Sequence, residues 1–155
     1  LNYLSGQKVL GFDTESKPSF RKGEKNKVSL LQLASGDHAF LFRLNRLGLP
    51  PSLKILLTNP GILKVGVAIH DDLSRLNGLK SFHPASFLDL QKLAPEYGIE
   101  DKGLRKLAAN ILGIRISKSQ QLTNWEGEEL SAAQQRYAAT DAWVCYAMYH
   151  RLLEL

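Results

Sequence analysis

The chain has 155 residues, 44% of them hydrophobic and 23% charged, with a formal net charge of +5. That length and balance suit one compact domain with a sizeable core, and they exclude an intrinsically disordered chain or a small disulfide scaffold. The positive balance favours an anionic partner.

The single cysteine, Cys145, cannot bridge within the chain and lies in an apolar helical pattern, so it reads as a core residue in a reducing compartment. No run reaches the roughly 18 to 20 apolar residues of a membrane span. No charged-then-apolar leader opens the chain either, so a cytoplasmic protein without a membrane partner is expected. Because the first residue is Leu1 rather than Met, residues 1–155 are read as a single domain that could belong to a longer chain.

In chain order, Val9 to Asp13, Val28 to Ala34 and Ala39 to Phe42 read as strands. A Lys/Gly-rich connection and the turn Ser35-Gly36-Asp37-His38 join them, links short enough for an antiparallel meander. Leu53 to Leu57 follow a Pro50-Pro51 helix start. Ile62 to Ile69 is apolar on both faces and reads as a covered, central strand. Helical spacing then dominates, over Asp71 to Leu76, Leu88 to Ala94, Gly103 to Leu112 and Ala132 to Leu153, with Ser86 to Leu90 adding a short strand. Early strands, late helices and the lack of repeats or linkers predict an α/β domain, a mixed β-sheet flanked by α-helices.

The acidic residues are placed unusually. Asp13 and Glu15 follow an apolar strand and, at i and i+2, can aim both carboxylates at one point. In the last helix, Ser131 and Gln134 fit a capping box, and Tyr137, Asp141, Val144 and Met148 fall on one face. An aspartate among core positions is costly unless it is paired, hydrogen-bonded or bound to a cation. His70, Asp71 and Asp72 lie at a strand-to-helix junction, where Asp71 is assigned the helix cap and Asp72 is left to face the strand ends. Carboxylates without clustered Cys or His make a hard, all-oxygen set suited to Mg²⁺ or Mn²⁺ rather than zinc. His38, His83 and His150 lack ligand spacing.

Lys17, Arg21, Lys22, Lys25 and Lys27 follow the first acidic pair with only Glu24 opposing them. Lys102, Arg105 and Lys106 start a helix, and Lys118 precedes the last one. Such groups either solubilise a surface or track a sugar-phosphate backbone. Phe20, Trp125 and Tyr146 are open to base stacking or to packing, with a structural role expected for Trp125.

Together, "FDTE" after a strand, "VGVAIHDDLSRL" in mid-chain and "YAATD" in a late helix resemble the three motifs of the DEDD exonucleases, in the tyrosine-containing DEDDy branch. The stretch "KSQQLTNWE" is similar to ribonuclease D and to the Werner-type exonuclease domain; the latter carries an aromatic residue where this chain has Ser16. The resemblance implies a ribonuclease-H-like fold and removal of nucleotides from the 3′ end of DNA or RNA. It also implies two divalent ions, Mg²⁺ or Mn²⁺, held by Asp13, Glu15, Asp72 and Asp141, with Tyr137 orienting the attacking water. The alternatives are a catalytically silent nucleic-acid-binding or scaffold domain and a small-molecule phosphohydrolase.

Overall fold

The computed structural model describes residues 1–155. Its centre is β1 (Val9–Ser16), flanked by β2 (Val28–Ala34) and β3 (Ala39–Arg43) on one side and by β4 (Leu63–Gly66) and β5 (Phe87–Asp89) on the other. The sheet has five strands in the order β3-β2-β1-β4-β5. The β1–β2 and β2–β3 pairs are antiparallel, the expected meander, whereas β4 and β5 run parallel to β1. Parallel neighbours need crossovers. Helices α2 (Leu44–Leu47) and α3 (Pro51–Thr58) make the first and α4 (Ile69–Leu79) the second.

Alternation along β1 divides the molecule. Leu10 and Phe12 point into a core built with Leu4 of α1 (Asn2–Ser5), Leu53 and Leu57 of α3, and Leu76 of α4. Each such leucine stabilises the fold by roughly 1.5 to 3 kcal/mol. Val9, Gly11, Asp13 and Glu15 share the opposite face, over which α7 (Ala132–Leu153) lies. Gly11 lets that helix come close: a Cβ there would sit 1.9 Å from the carbonyl oxygen of Ala142. Beside α7 packs α6 (Leu104–Leu112), whose Leu107, Ala108 and Ile111 join Val144 and Met148 in a second core. The remaining helix, α5 (Leu90–Leu93), continues into a 3-10 turn at Ala94–Tyr97.

Two boundaries and one strand position differ from the sequence pattern. First, β1 runs past Asp13 to Ser16, because Glu15 and Ser16 still pair with β2, across an irregularity between them. Second, β4 ends at Gly66, four residues are enough to cross the sheet, and α4 already starts at Ile69. Ala68 makes the turn with φ of 54°, a left-handed conformation that no glycine announces. Third, β4 is interior but not wholly apolar, and the central position belongs to β1. Lys64 is fully buried, its Nζ donating to the carbonyls of Leu56 and Asn59, each at 3.0 Å, at the end of α3. No helix is long and apolar enough to cross a membrane.

Capping splits the same way. The expected box at α7 is present: the Gln134 amide donates to Ser131 Oγ at 3.0 Å and the Ser131 amide to Gln134 Oε1 at 2.9 Å. Asp71 does not cap α4, since the helix begins two residues before it and leaves it exposed in the first turn. Asp89 supplies the cap from β5 instead, accepting from the amides of Ala68 at 3.0 Å and Ile69 at 3.3 Å. Trp125 is fully buried against Tyr137, as its structural reading expects, and Cys145 lies in the second core.

Candidate active site

Asp13 and Glu15 rise from β1 toward α7, and Asp141 descends from that helix to meet them. Oxygens of these three carboxylates all lie within 4.8 Å of one another. Tyr137, one turn before Asp141, is 8% exposed and lines the same cleft of about 280 Å³. Val67, Ala68, Gln91, Lys102 and Arg105 contribute to its walls.

Asp72 is not within the carboxylate triplet. It sits half-buried on α4, where the hydroxyl of Thr14 donates to it. Thr14, the residue between Asp13 and Glu15, thus links the first acidic motif to Asp72, whose charge bears on both acids. Of the four acidic positions expected to converge, three bring oxygens within 4.8 Å of one another and the fourth, Asp72, is tied to their strand through Thr14.

Burial and mutual repulsion dominate the electrostatics. The Asp13 carboxyl is driven well above its ordinary range, first by burial and then by Glu15, Asp141 and Asp72. Glu15 is pushed up to about 8 by burial and by Asp141. Burial raises Asp72 and Asp141 each to about 6, against the Thr14 hydrogen bond in the first case and Arg105 in the second. Burial and the negative charge of Asp141 raise the Tyr137 phenol above its usual value. Carboxylates this close hold protons unless a cation replaces them.

A divalent cation fits the set. The donors are all oxygen, as a hard ion requires, and Asp141 Oδ1 is buried without a hydrogen-bond partner. In a finished structural site such an oxygen would be satisfied.

Two contributors were not assigned to the site by the sequence. Gln32 faces Asp13 directly across the β1–β2 register and is fully buried. Its Nε2 reaches Asp13 Oδ2 at 3.5 Å, Glu15 Oε1 at 3.4 Å and the Ala138 carbonyl at 3.3 Å. The signal was a polar amide in the run "VSLLQLA", every residue of which is buried and of which only Ser29 and Gln32 are polar. Arg105 was read only as part of a basic group, yet its Nη2 donates to Tyr137 Oη at 2.8 Å and lies 3.5 Å from Asp141 Oδ2.

The basic residues take two positions. Lys17, Arg21, Lys22, Lys25 and Lys27 are exposed on the β1–β2 connection and do not line the cleft. The neck of that connection is tied by Asn26, whose Nδ2 donates to the Lys17 carbonyl at 2.8 Å. Lys118 instead lines an adjoining depression of about 550 Å³ with Lys102, Arg105 and Lys106. Phe20 is 81% exposed on the same connection as the first group. His70 is exposed at the start of α4.

A mixed sheet with an acidic triplet between its central strand and its last helix defines an α/β protein of the ribonuclease-H-like class. A family model described as 3′-5′ exonuclease matches residues 1–155, and this chain belongs to that family. The chain is 34% identical over 157 residues to the bifunctional 3′-5′ exonuclease/ATP-dependent helicase WRN of Mus musculus, across 96% of this chain and 11% of that protein. It is 35% identical over 129 residues to ribonuclease D of Haemophilus influenzae, across 81% of this chain and 32% of that protein. The solved EXO domain of Nibbler from Aedes aegypti matches with a TM-score of 0.85 at 26% identity, over 99% of this chain and 81% of that one. The chain thus spans at most about a third of the length of these two sequence relatives.

Proposed function

We propose that this chain hydrolyses the phosphodiester bonds of DNA or RNA one nucleotide at a time from the 3′ end, with two divalent ions, Mg²⁺ or Mn²⁺, at the acidic triplet. The observation that carries this reading is the meeting of Asp13, Glu15 and Asp141 within 4.8 Å beside Tyr137, in a chain of the 3′-5′ exonuclease family. Asp13, Glu15 and Asp141 would hold the ions, and Asp72, hydrogen-bonded to Thr14 between the first two acids, would support them directly or through water. Such ions supply a water acidic enough to attack at neutral pH and charge to stabilise the attacking and leaving oxygens.

The chain's own residues do the rest. Gln32 keeps the Asp13 and Glu15 carboxylates turned toward α7 by donating to both. Tyr137 is a poor base, since its phenol is held above its ordinary range, so it acts by hydrogen bond, orienting the attacking water. Lys118 with Lys102 and Lys106, and the Lys17 to Lys27 connection, would neutralise backbone phosphates of a polyanion.

The test uses matched DNA and RNA oligonucleotides, labelled at the 5′ end and digested with Mg²⁺, Mn²⁺ or chelator. A descending ladder that requires the metal and vanishes in Asp13→Ala is expected, and the better-cut polymer names the substrate. Binding without shortening would instead identify a silent nucleic-acid-binding domain, and turnover of free nucleotides alone a small-molecule phosphohydrolase.

A further inference from the structure

We propose that Arg105 is a positioning residue that fixes the hydroxyl of Tyr137 as a hydrogen-bond donor toward the cleft and ties it to the wall carrying Lys118. The inference rests on the exonuclease reading for its kinetic consequence, and on geometry alone for the contact.

One nitrogen makes all the contacts. Arg105 Nη2 lies 2.8 Å from Tyr137 Oη, 2.8 Å from the Ser117 carbonyl and 3.5 Å from Asp141 Oδ2. A guanidinium NH₂ carries two hydrogens. The two short contacts use them, and the Asp141 contact is then an ion pair rather than a third directed bond. The guanidinium also lies over the phenol ring, 5.3 Å from its centroid. Only 21% of the Arg105 side chain is exposed, and it is the cation paired with the acidic triplet.

An arginine only donates, so Tyr137 Oη accepts in this bond. The phenol's own hydrogen is then free to point elsewhere, and Tyr137 lines the cleft with Asp13, Glu15 and Asp141, as well as a second depression beside Ser117 and Thr140. Without Arg105 the hydroxyl could turn and accept a hydrogen bond from a water or a backbone donor in another orientation. The same guanidinium holds the Ser117 carbonyl, next to Lys118, so the loop between α6 and α7 is fastened to the tyrosine's oxygen. Arg105 itself comes from the first turn of α6, which packs against α7. Nothing in the three acidic motifs specifies this residue.

A rival role for Arg105 is direct phosphate binding, and another is a plain loop tether. A double-mutant cycle separates them. In Arg105→Gln, kcat on the preferred oligonucleotide is expected to fall by about 10- to 100-fold, the scale of a misplaced catalytic group, with KM changed less than about threefold. Arg105→Lys, which keeps the charge but not the planar fork, should recover part of that loss. Adding Arg105→Gln to Tyr137→Phe should cost little beyond Tyr137→Phe alone. Multiplying losses in the double variant, or an effect carried by KM, would overturn the proposal in favour of phosphate binding. A lowered melting temperature with kcat unchanged would overturn it in favour of a tether.

The contact itself is read without turnover. In metal-free protein labelled at tyrosine Cζ, the Tyr137 resonance, assigned by its loss in Tyr137→Phe, should shift in Arg105→Gln at fixed pH. An unmoved resonance overturns the proposal. If the wild-type chain cuts no oligonucleotide, the nuclease reading fails while this resonance still decides whether Arg105 holds Tyr137.

Discussion

Charge is buried on both faces of this sheet, and the two places differ in what surrounds it. Lys64, under α3, is fully enclosed, with two carbonyls at its Nζ and the Phe87 ring 5.1 Å away. Asp13, Glu15 and Asp141, under α7, face one another, with one oxygen left unpartnered. The lysine is given hydrogen-bond acceptors by the fold, although burial lowers its pKa to about 8, whereas the carboxylates meet one another's charge. A satisfied buried charge serves structure, whereas an unsatisfied cluster marks a place where the fold has been strained for function.

Substitutions on each side should separate these roles. Asp13→Asn is expected to abolish metal-dependent shortening, a fall of at least about 10³-fold measured with labelled oligonucleotides, while the protein stays folded by circular dichroism. Tyr137→Phe should lose about 10²- to 10³-fold in kcat with little change in KM, as removal of one oriented hydrogen bond does. Lys64→Ala has the opposite profile. It deletes a buried stem and two hydrogen bonds, so unfolding in urea should show a loss of about 2 to 4 kcal/mol, with kcat at low temperature near wild type.

The acids also set a pH dependence opposite to that of an ordinary salt-bridged carboxylate. Glu15 gives up its proton near 4.5 when unfolded but near about 8 when folded, so between those values the folded state binds more protons. Stability of the metal-free protein must then fall as pH rises from 4.5 to 8, and Asp72 and Asp141, raised from 3.8 to about 6, act in the same direction at the lower end. Melting in chelator across that range checks it. The smallest effect is expected at the exposed connection: replacing Lys22 and Lys25 by Gln should raise KM a few-fold and flatten its salt dependence, by about 0.7 of a log–log slope for each contact to a single strand.

Much of the architecture was legible because its signals are local. The meander followed from short links between apolar runs, and the α7 cap from Ser131 and Gln134. Asp141 declared itself because an acid on an apolar helix face violates the pattern around it, whereas Asp13, Glu15 and Tyr137 gained their roles from the resemblance of the three motifs taken together. What stayed hidden depends on the third dimension. Ile69 looked like the end of a strand because an isoleucine suits either element, and only the left-handed turn at Ala68 makes it a helix start. Asp71 was the nearer capping candidate, but Asp89 reaches α4 from 20 residues away through the β4–β5 pairing. Lys64 lies within a stretch that reads as apolar on both faces, and its burial depends on the carbonyls at the end of α3 that no local pattern announces. The Arg105 contact required α6 to pack on α7, which no spacing in the chain encodes.

The central claim is that the fold tolerates the acidic triplet only because a cation is meant to occupy it. The most direct test is the melting temperature of wild type and Asp13→Asn at pH 8, in chelator and in Mn²⁺. Removing one of the repelling charges should make Asp13→Asn the more stable protein in chelator, and Mn²⁺ should raise the wild type by several degrees while leaving the variant nearly unmoved. A variant less stable than wild type in chelator, or an equal Mn²⁺ shift in both proteins, would contradict the account.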